Sequence, residues 1–132
     1  KSTTATNKIT IDKVLSANDL FNYQELVKNV PVSDNVVEYA VDFVNSTRTS
    51  NQDAPSPTSD WLEWGAGPRA SMYLILGAKA KALLDGRTTP EIADVKDMVG
   101  PVLRHRIIPN FNAEADGINR DDILTKLLEI NS

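Results

Sequence analysis

The residue types best suited to chemistry lie together in Trp64-Gly65-Ala66-Gly67-Pro68-Arg69-Ala70-Ser71. Glycine at Gly65 and Gly67 lets the backbone come close to another group. Pro68 presets the φ of a first helical turn, which puts Arg69 inside that turn. A cation at this end of a helix opposes the helix dipole, at a cost of roughly a few tenths of a kcal/mol. An anion in front of the turn reverses the sign. A planar guanidinium beside unpaired N–H groups is a phosphate site in outline. From the local chemistry alone the plainer reading is preferred, a Gly-Pro turn whose arginine pairs with a nearby carboxylate and covers apolar surface with its stem.

Other charged and aromatic groups read more plainly. Arg104-His105-Arg106 is a basic triplet at a helix end, where it complements the dipole, with contact to a nucleotide or a neighbouring subunit as the alternative. A lone histidine without suitably spaced carboxylates builds no metal site, so none is expected. Lys79, Lys81 and Arg87 read as a solvated face, and Asp121-Asp122 as charge at a helix start. Trp61 and Trp64 are expected to pack a loop onto the core, with a partner surface as the alternative. No Gly-Lys dipeptide occurs, hence no P-loop, and no Asp-Glu pair follows an apolar strand to make a Walker B site. Hydrolysis of ATP by these residues alone is therefore not expected.

The chain that must position these groups has 132 residues, 41% apolar and 24% charged, the size and composition of one globular domain. It has no run of about 18 apolar residues for a membrane span. Lys1 to Ile9 is polar, without the apolar centre of a signal peptide or an initiator Met, as in a piece of something longer. The absence of cysteine excludes disulfides and thiolate metal sites and fits the cytosol. A net charge of −4 argues against broad nucleic-acid or anionic-membrane binding. The sequon Asn45-Ser46-Thr47 reads as chance.

Helical punctuation recurs along the chain. Ser16 with Asp19 makes a capping box before Leu20, Tyr23, Val27 and Val30, until Pro31. Ser33 caps a second helix with a stripe of Val36, Val37, Ala40, Val41 and Val44. Residues 46–60, rich in Ser, Thr, Asn and Pro, read as a long loop, with Thr58, Ser59 or Asp60 capping a short turn. The segment from Met72 to Ala78 is apolar on nearly every side, as in a central helix ending at Gly86. Thr89-Pro90-Glu91 opens a helix bearing Ile92, Val95, Met98, Val99, Val102 and Leu103, with a kink or restart at Pro101. Asn119 caps a last helix facing inward with Ile123, Leu124, Leu127 and Leu128. Five helices and no convincing alternating strand predict an all-α fold, a small bundle of four to five helices.

Gly65-Ala66-Gly67-Pro68-Arg69-Ala70-Ser71 resembles the lid motif of MoxR-family AAA+ ATPases, usually Gly-Ala-Ser-Pro-Arg-Ala. Pro101-Val102-Leu103-Arg104-His105-Arg106-Ile107 resembles that family's second lid signature. Val30-Pro31-Val32-Ser33-Asp34 and Ala113-Glu114-Ala115-Asp116-Gly117 follow the family order, so the likeness runs from about Val14 to the end. Gly67 departs from the usual Ser, and Pro90-Glu91-Ile92-Ala93-Asp94-Val95 is longer than the common Pro-Glu-Asp-Val. The likeness does not account for the 46–60 loop.

The resemblance implies a single C-terminal helical lid over 1–132, with 1–10 a linker from an ATPase core. It implies that Arg69 is the sensor-2 arginine acting on ATP, with Gly65, Ala66 and Pro68 lining the nucleotide's approach. ATP and Mg would be held mainly by the core of the same chain. Neighbouring subunits of a ring oligomer, chaperone-like remodelling of client proteins and von Willebrand factor A-domain partners follow from the same likeness, with a cytoplasmic location. Two readings from other classes stand beside it. One is a free-standing helical interaction module using the Trp-containing loop. The other is a small basic-face nucleic-acid binder, which the acidic charge balance opposes.

Overall fold

The computed structural model describes residues 16–132; the expected linker over 1–10 and the extended entry at Ile9-Thr10-Ile11 lie outside them. Helix α1 spans Ala17–Lys28 and opens on the expected capping box: Ser16 Oγ accepts from the Asp19 N–H, and the Asp19 carboxylate accepts from the Ser16 N–H. The stripe read along it is not buried. Leu20 and Tyr23 are about half exposed, no residue of α1 is buried, and only Val30, beyond the helix end, reaches the core. Spacing made the stripe visible, but among the described residues α1 has one main neighbour, helix α4 (Arg69–Leu84).

Helix α2 spans Asp34–Ser46 and buries Val36, Ala40, Phe43 and Val44, the stripe that helical geometry selects. Val41 falls off that stripe and is exposed, whereas Phe43 is completely buried. Ser33 sits at the cap, but its hydroxyl donates to the Asn35 side chain and caps no N–H.

The segment read as a loop over 46–60 is shorter than expected, because helix α3 occupies Ser56–Trp61. Prolines rather than hydroxyls start it: Pro55 stands at the cap and Pro57 in the first turn, where a fixed φ and a missing N–H cost nothing. Thr58 is inside the helix, completely buried, and its hydroxyl donates to the Ser46 carbonyl. Strand β1, Leu62–Trp64, then pairs antiparallel with β2, Ile108–Pro109, setting Leu62 opposite Pro109 and Trp64 opposite Ile108. Strands this short leave no alternation to read.

Helix α4 is the central element, packed on α1, α2 and helix α5 (Ile92–Leu103). Its buried line is Ala70, Leu74, Ala78 and Ala82, one residue per turn and mostly small. Small residues bring α5 close: a Cβ on Gly77 would stand 2.9 Å from Met98 Sδ. The helix ends at Gly86 (φ 75°), with the Arg87 N–H bonded to Ala82 O and the Gly86 N–H to Leu83 O. That is a Schellman termination, which glycine's left-handed conformation permits.

Helix α5 starts at Ile92 with Glu91 as its cap, not at the Thr89-Pro90 pair. The Thr89 hydroxyl instead donates to Pro31 O, and Pro90 is buried outside the helix. The helix stays continuous through Pro101, and the Arg104 N–H again reaches Gly100 O. Helix α6 (Phe111–Ala115) is short and was not expected; Asn110 caps it. Helix α7 (Arg120–Ile130) has its expected Asn119 cap, and the Asp122 carboxylate closes the box on the Asn119 N–H. Ile123, Leu124 and Leu127 complete a core shared with α2, α4 and α5. The architecture is a helical bundle with one two-stranded patch.

The charges read as a solvated face partly hold the α4–α5 connection. Arg87 makes two 2.6 Å hydrogen bonds to the Asp94 carboxylate, which is only 3% exposed. Asp94 also accepts the Glu91 N–H at 2.7 Å, and Lys81 lies 3.2 Å from Asp97. The Arg87 hydrogen bonds hold the Asp94 carboxyl below its ordinary pKa, against the opposing effect of burial. A carboxylate held this way contributes stability that is complete above its unfolded-state pKa of about 4 and is lost as pH falls through the lower folded value. Asp94→Ala should therefore cost about 2 kcal/mol at neutral pH in urea denaturation. The gap between the two proteins should close as pH drops below about 4. Equal midpoints at neutral pH would show the pair to be energetically idle.

Candidate functional site

The loop between β1 and α4 is fixed before Arg69 emerges from it. Its entry is held by the Asn110 N–H and side-chain amide, which donate to Trp61 O and Asp60 O. Gly65 lies directly on the end of α2: a Cβ there would stand 1.9 Å from the Thr47 carbonyl oxygen. The Ala66 N–H donates to Thr47 Oγ1 at 3.0 Å, and that hydroxyl donates onward to Val44 O at 2.7 Å. Thr47 is completely buried, which also leaves the sequon's threonine inaccessible. The close approach that Gly65 permits is thus made to protein backbone. The Ala66 side chain is part of the core.

Beyond this anchor the chain turns outward. Gly67, Pro68 and Arg69 are exposed, and a Cβ on Gly67 would have no neighbour within 4 Å. Pro68 has φ −58° and ψ −30°, already helical, and the Ala70 N–H reaches back to Gly67 O. Ser71 Oγ donates to Pro68 O at 2.8 Å. No side chain caps α4, whose cap position is taken by Pro68. Arg69 is the first helical residue, and it makes no ion pair among the described residues. The carboxylate-paired alternative is therefore not realised among them.

A cavity of about 260 Å³ opens beside the motif, lined by residues 48–50 and 64–67. It brings Gly65, Ala66 and Gly67 together with Arg48, which no local pattern singles out. Pro68 and Arg69 lie just outside it. Trp61 packs against the core as expected, but Trp64 is 64% exposed at the rim. A second cavity of about 450 Å³ follows the α1–α4 seam, lined by Tyr23, Leu26, Val27, Ala80, Leu83 and Leu84.

The basic triplet divides. Arg104 Nε is 2.7 Å from Asp121, tying α5 to α7, and Arg106 donates to Val102 O at 2.6 Å. The Arg106 guanidinium also lies over the Tyr73 ring, 4.6 Å from its centroid, while His105 is exposed. Both arginines therefore have structural contacts. Among the described residues no group of three or more His, Asp or Glu side chains is placed to hold a metal ion. No helix of the described residues is long and apolar enough to cross a membrane.

The family model described as the AAA lid domain matches residues 56–127, from α3 into α7, with the Gly65–Arg69 motif and both central helices inside it. This chain belongs to the AAA lid domain family. The lid is 34% identical over 117 residues to chaperone MoxR1 of Mycobacterium tuberculosis, covering 89% of the lid and 31% of that protein. It is 29% identical over 119 residues to the uncharacterized protein YeaC of Bacillus subtilis, covering 90% and 34%. Among solved structures, an ATPase candidate from Cytophaga hutchinsonii superposes with a TM-score of 0.80 at 30% identity, covering 89% of the lid and 36% of that chain. The lid thus spans about a third of the length of these relatives.

The start of α4, with no side-chain cap and with an Arg69 that makes no ion pair among the described residues, is the place on this lid best suited to a phosphate. The sequence contains no Gly-Lys of a P-loop and no Asp-Glu pair of the Walker B kind.

Proposed function

We propose that this lid is the C-terminal, nucleotide-sensing part of a MoxR-type AAA+ ATPase, with Arg69 as its sensor-2 arginine. One observation carries the reading: Arg69 stands exposed and, among the described residues, without an ion pair in the first turn of α4, on a loop anchored to Thr47. A guanidinium placed against the helix dipole gains most from an anion. ATP bound in the core of the parent chain supplies that anion in its γ-phosphate, and the core supplies the P-loop and the magnesium ligands.

Arg69 binds and orients the phosphate from the lid side. Because its loop is tied to α2 through Thr47 and to β2 through β1, a pull on the guanidinium turns the lid as one body. Phosphoryl transfer depends mainly on positioning and charge stabilisation, so one arginine brought in or withdrawn controls turnover. Gly67 and Pro68 present the exposed main chain beside it, and Gly65 and Ala66 hold the frame. The parent is a ring oligomer in the cytoplasm, in which lid rotation drives chaperone-like remodelling of client proteins, with von Willebrand factor A-domain proteins as partners.

The test compares ATP and ADP affinities of the full-length parent and its Arg69→Gln form. Loss of the preference for ATP supports the sensor, and an unchanged preference refutes it. The lid alone should show no magnesium-dependent ATP hydrolysis. Trp64 favours one alternative, a protein-docking surface, because an exposed tryptophan is a common interface anchor. In that case Trp64→Ala abolishes capture of a partner while leaving the ATP preference intact.

A further inference from the structure

We infer that Arg106 is a positioning residue for Arg69, acting by occupying the Tyr73 ring on which Arg69 would otherwise lie. The inference rests on the reading of Arg69 as the phosphate sensor. Tyr73 follows Arg69 by four residues on α4, so the two side chains share a face with Cβ atoms about 5–6 Å apart. Side chains of a helix lean toward its N-terminus, which tilts the Tyr73 ring back over the turn of Arg69. An arginine with no carboxylate partner has a natural resting place on such a ring. A sensor that rested there would be withdrawn from its phosphate.

The second signature of the sequence supplies the competitor. Arg106 lies 4.6 Å from the Tyr73 centroid and is steadied by its 2.6 Å bond to Val102 O. Its backbone is fixed on both sides, by the Arg106 N–H to Leu103 O and by the buried Ile107. Arg106 also forms no ion pair among the described residues, so no carboxylate among them offsets its charge. Occupancy of the ring and like-charge repulsion work in one direction: both keep Arg69 extended and free. Tyr73, one turn beyond Arg69, is thus where the second signature reaches the helix of the first.

The test uses the full-length protein and measures kcat and KM for ATP in the Arg69→Ala, Arg106→Gln, Arg106→Lys and Arg106→Gln/Tyr73→Leu forms, each checked for folding by circular dichroism. Gln keeps much of the stem and a donor for Val102 O but loses the charge. With Arg69→Ala strongly impaired, Arg106→Gln should lower kcat about fivefold. Arg106→Lys should retain turnover, since an ammonium also occupies the ring. The double variant should regain most of the lost activity, because Arg69 then has no ring to lie on. Full turnover in Arg106→Gln beside an impaired Arg69→Ala overturns the positioning role and leaves the sensor standing. A double variant no better than Arg106→Gln overturns it too, leaving Arg106 a packing residue. An unimpaired Arg69→Ala overturns the sensor and this inference together.

Discussion

Arg69→Ala in the full-length protein should lower ATP turnover about a hundredfold or more, the scale on which single transition-state donors act. The isolated lid should respond in the opposite direction. Arg69 makes no ion pair among the described residues and its charge opposes the positive end of α4, so alanine removes a repulsion and improves helix propensity. A gain of roughly 0.5 kcal/mol is expected, or about 2 °C in midpoint. Turnover measured by phosphate release in the parent, beside thermal unfolding of the lid, reads both signs. A residue that lowers stability and is essential for turnover is being kept for its chemistry. A marked fall in the lid's midpoint would instead make Arg69 a structural residue, and undiminished turnover would end the sensor reading.

The second large effect falls two glycines earlier and concerns stability. At Gly65 a methyl group has nowhere to go, because the Thr47 carbonyl is backbone and is held by the end of α2. Gly65→Ala should cost about 3 kcal/mol, the upper end of overpacking penalties, and lower the midpoint on the order of 10 °C. Gly67→Ala should change the midpoint little, since a Cβ there meets nothing within 4 Å. The pair separates two roles that look identical in sequence. Equal effects of the two substitutions, measured by calorimetry on the lid, would contradict the packing described.

How far the molecule could be read in advance varies with the physics involved. Local signals were legible: the Ser16 and Asn119 capping boxes, the stop at Gly86, and the inward faces of α5 and α7 follow from neighbours in the chain. Arg69 could be placed in the first turn of α4 from Pro68 alone. Tertiary partners were not legible. Nothing near Gly65 says that Thr47 will lie against it, nothing near Arg87 says that Asp94 will be buried, and β1 and β2 are too short to announce themselves. The stripe of α1 was visible, but a pattern of apolar residues does not say whether a neighbour exists to cover it. The packing of α3 on prolines defeated an expectation built on hydroxyl caps, since both signals open a helix.

Helix α1 buries none of its residues and lies chiefly against α4, and this gives it a fate of its own. A segment that shares so little of the core can open without disturbing the rest, at a free-energy cost well below that of global unfolding. Its amide protons should exchange with solvent deuterium ahead of those of α4 and α5, in a regime set by local opening. While the lid moves as one body, its α1 is then expected to open ahead of the part built on α2, α4, α5 and α7, and the protection of α1 becomes a direct gauge of whatever surface comes to rest on it.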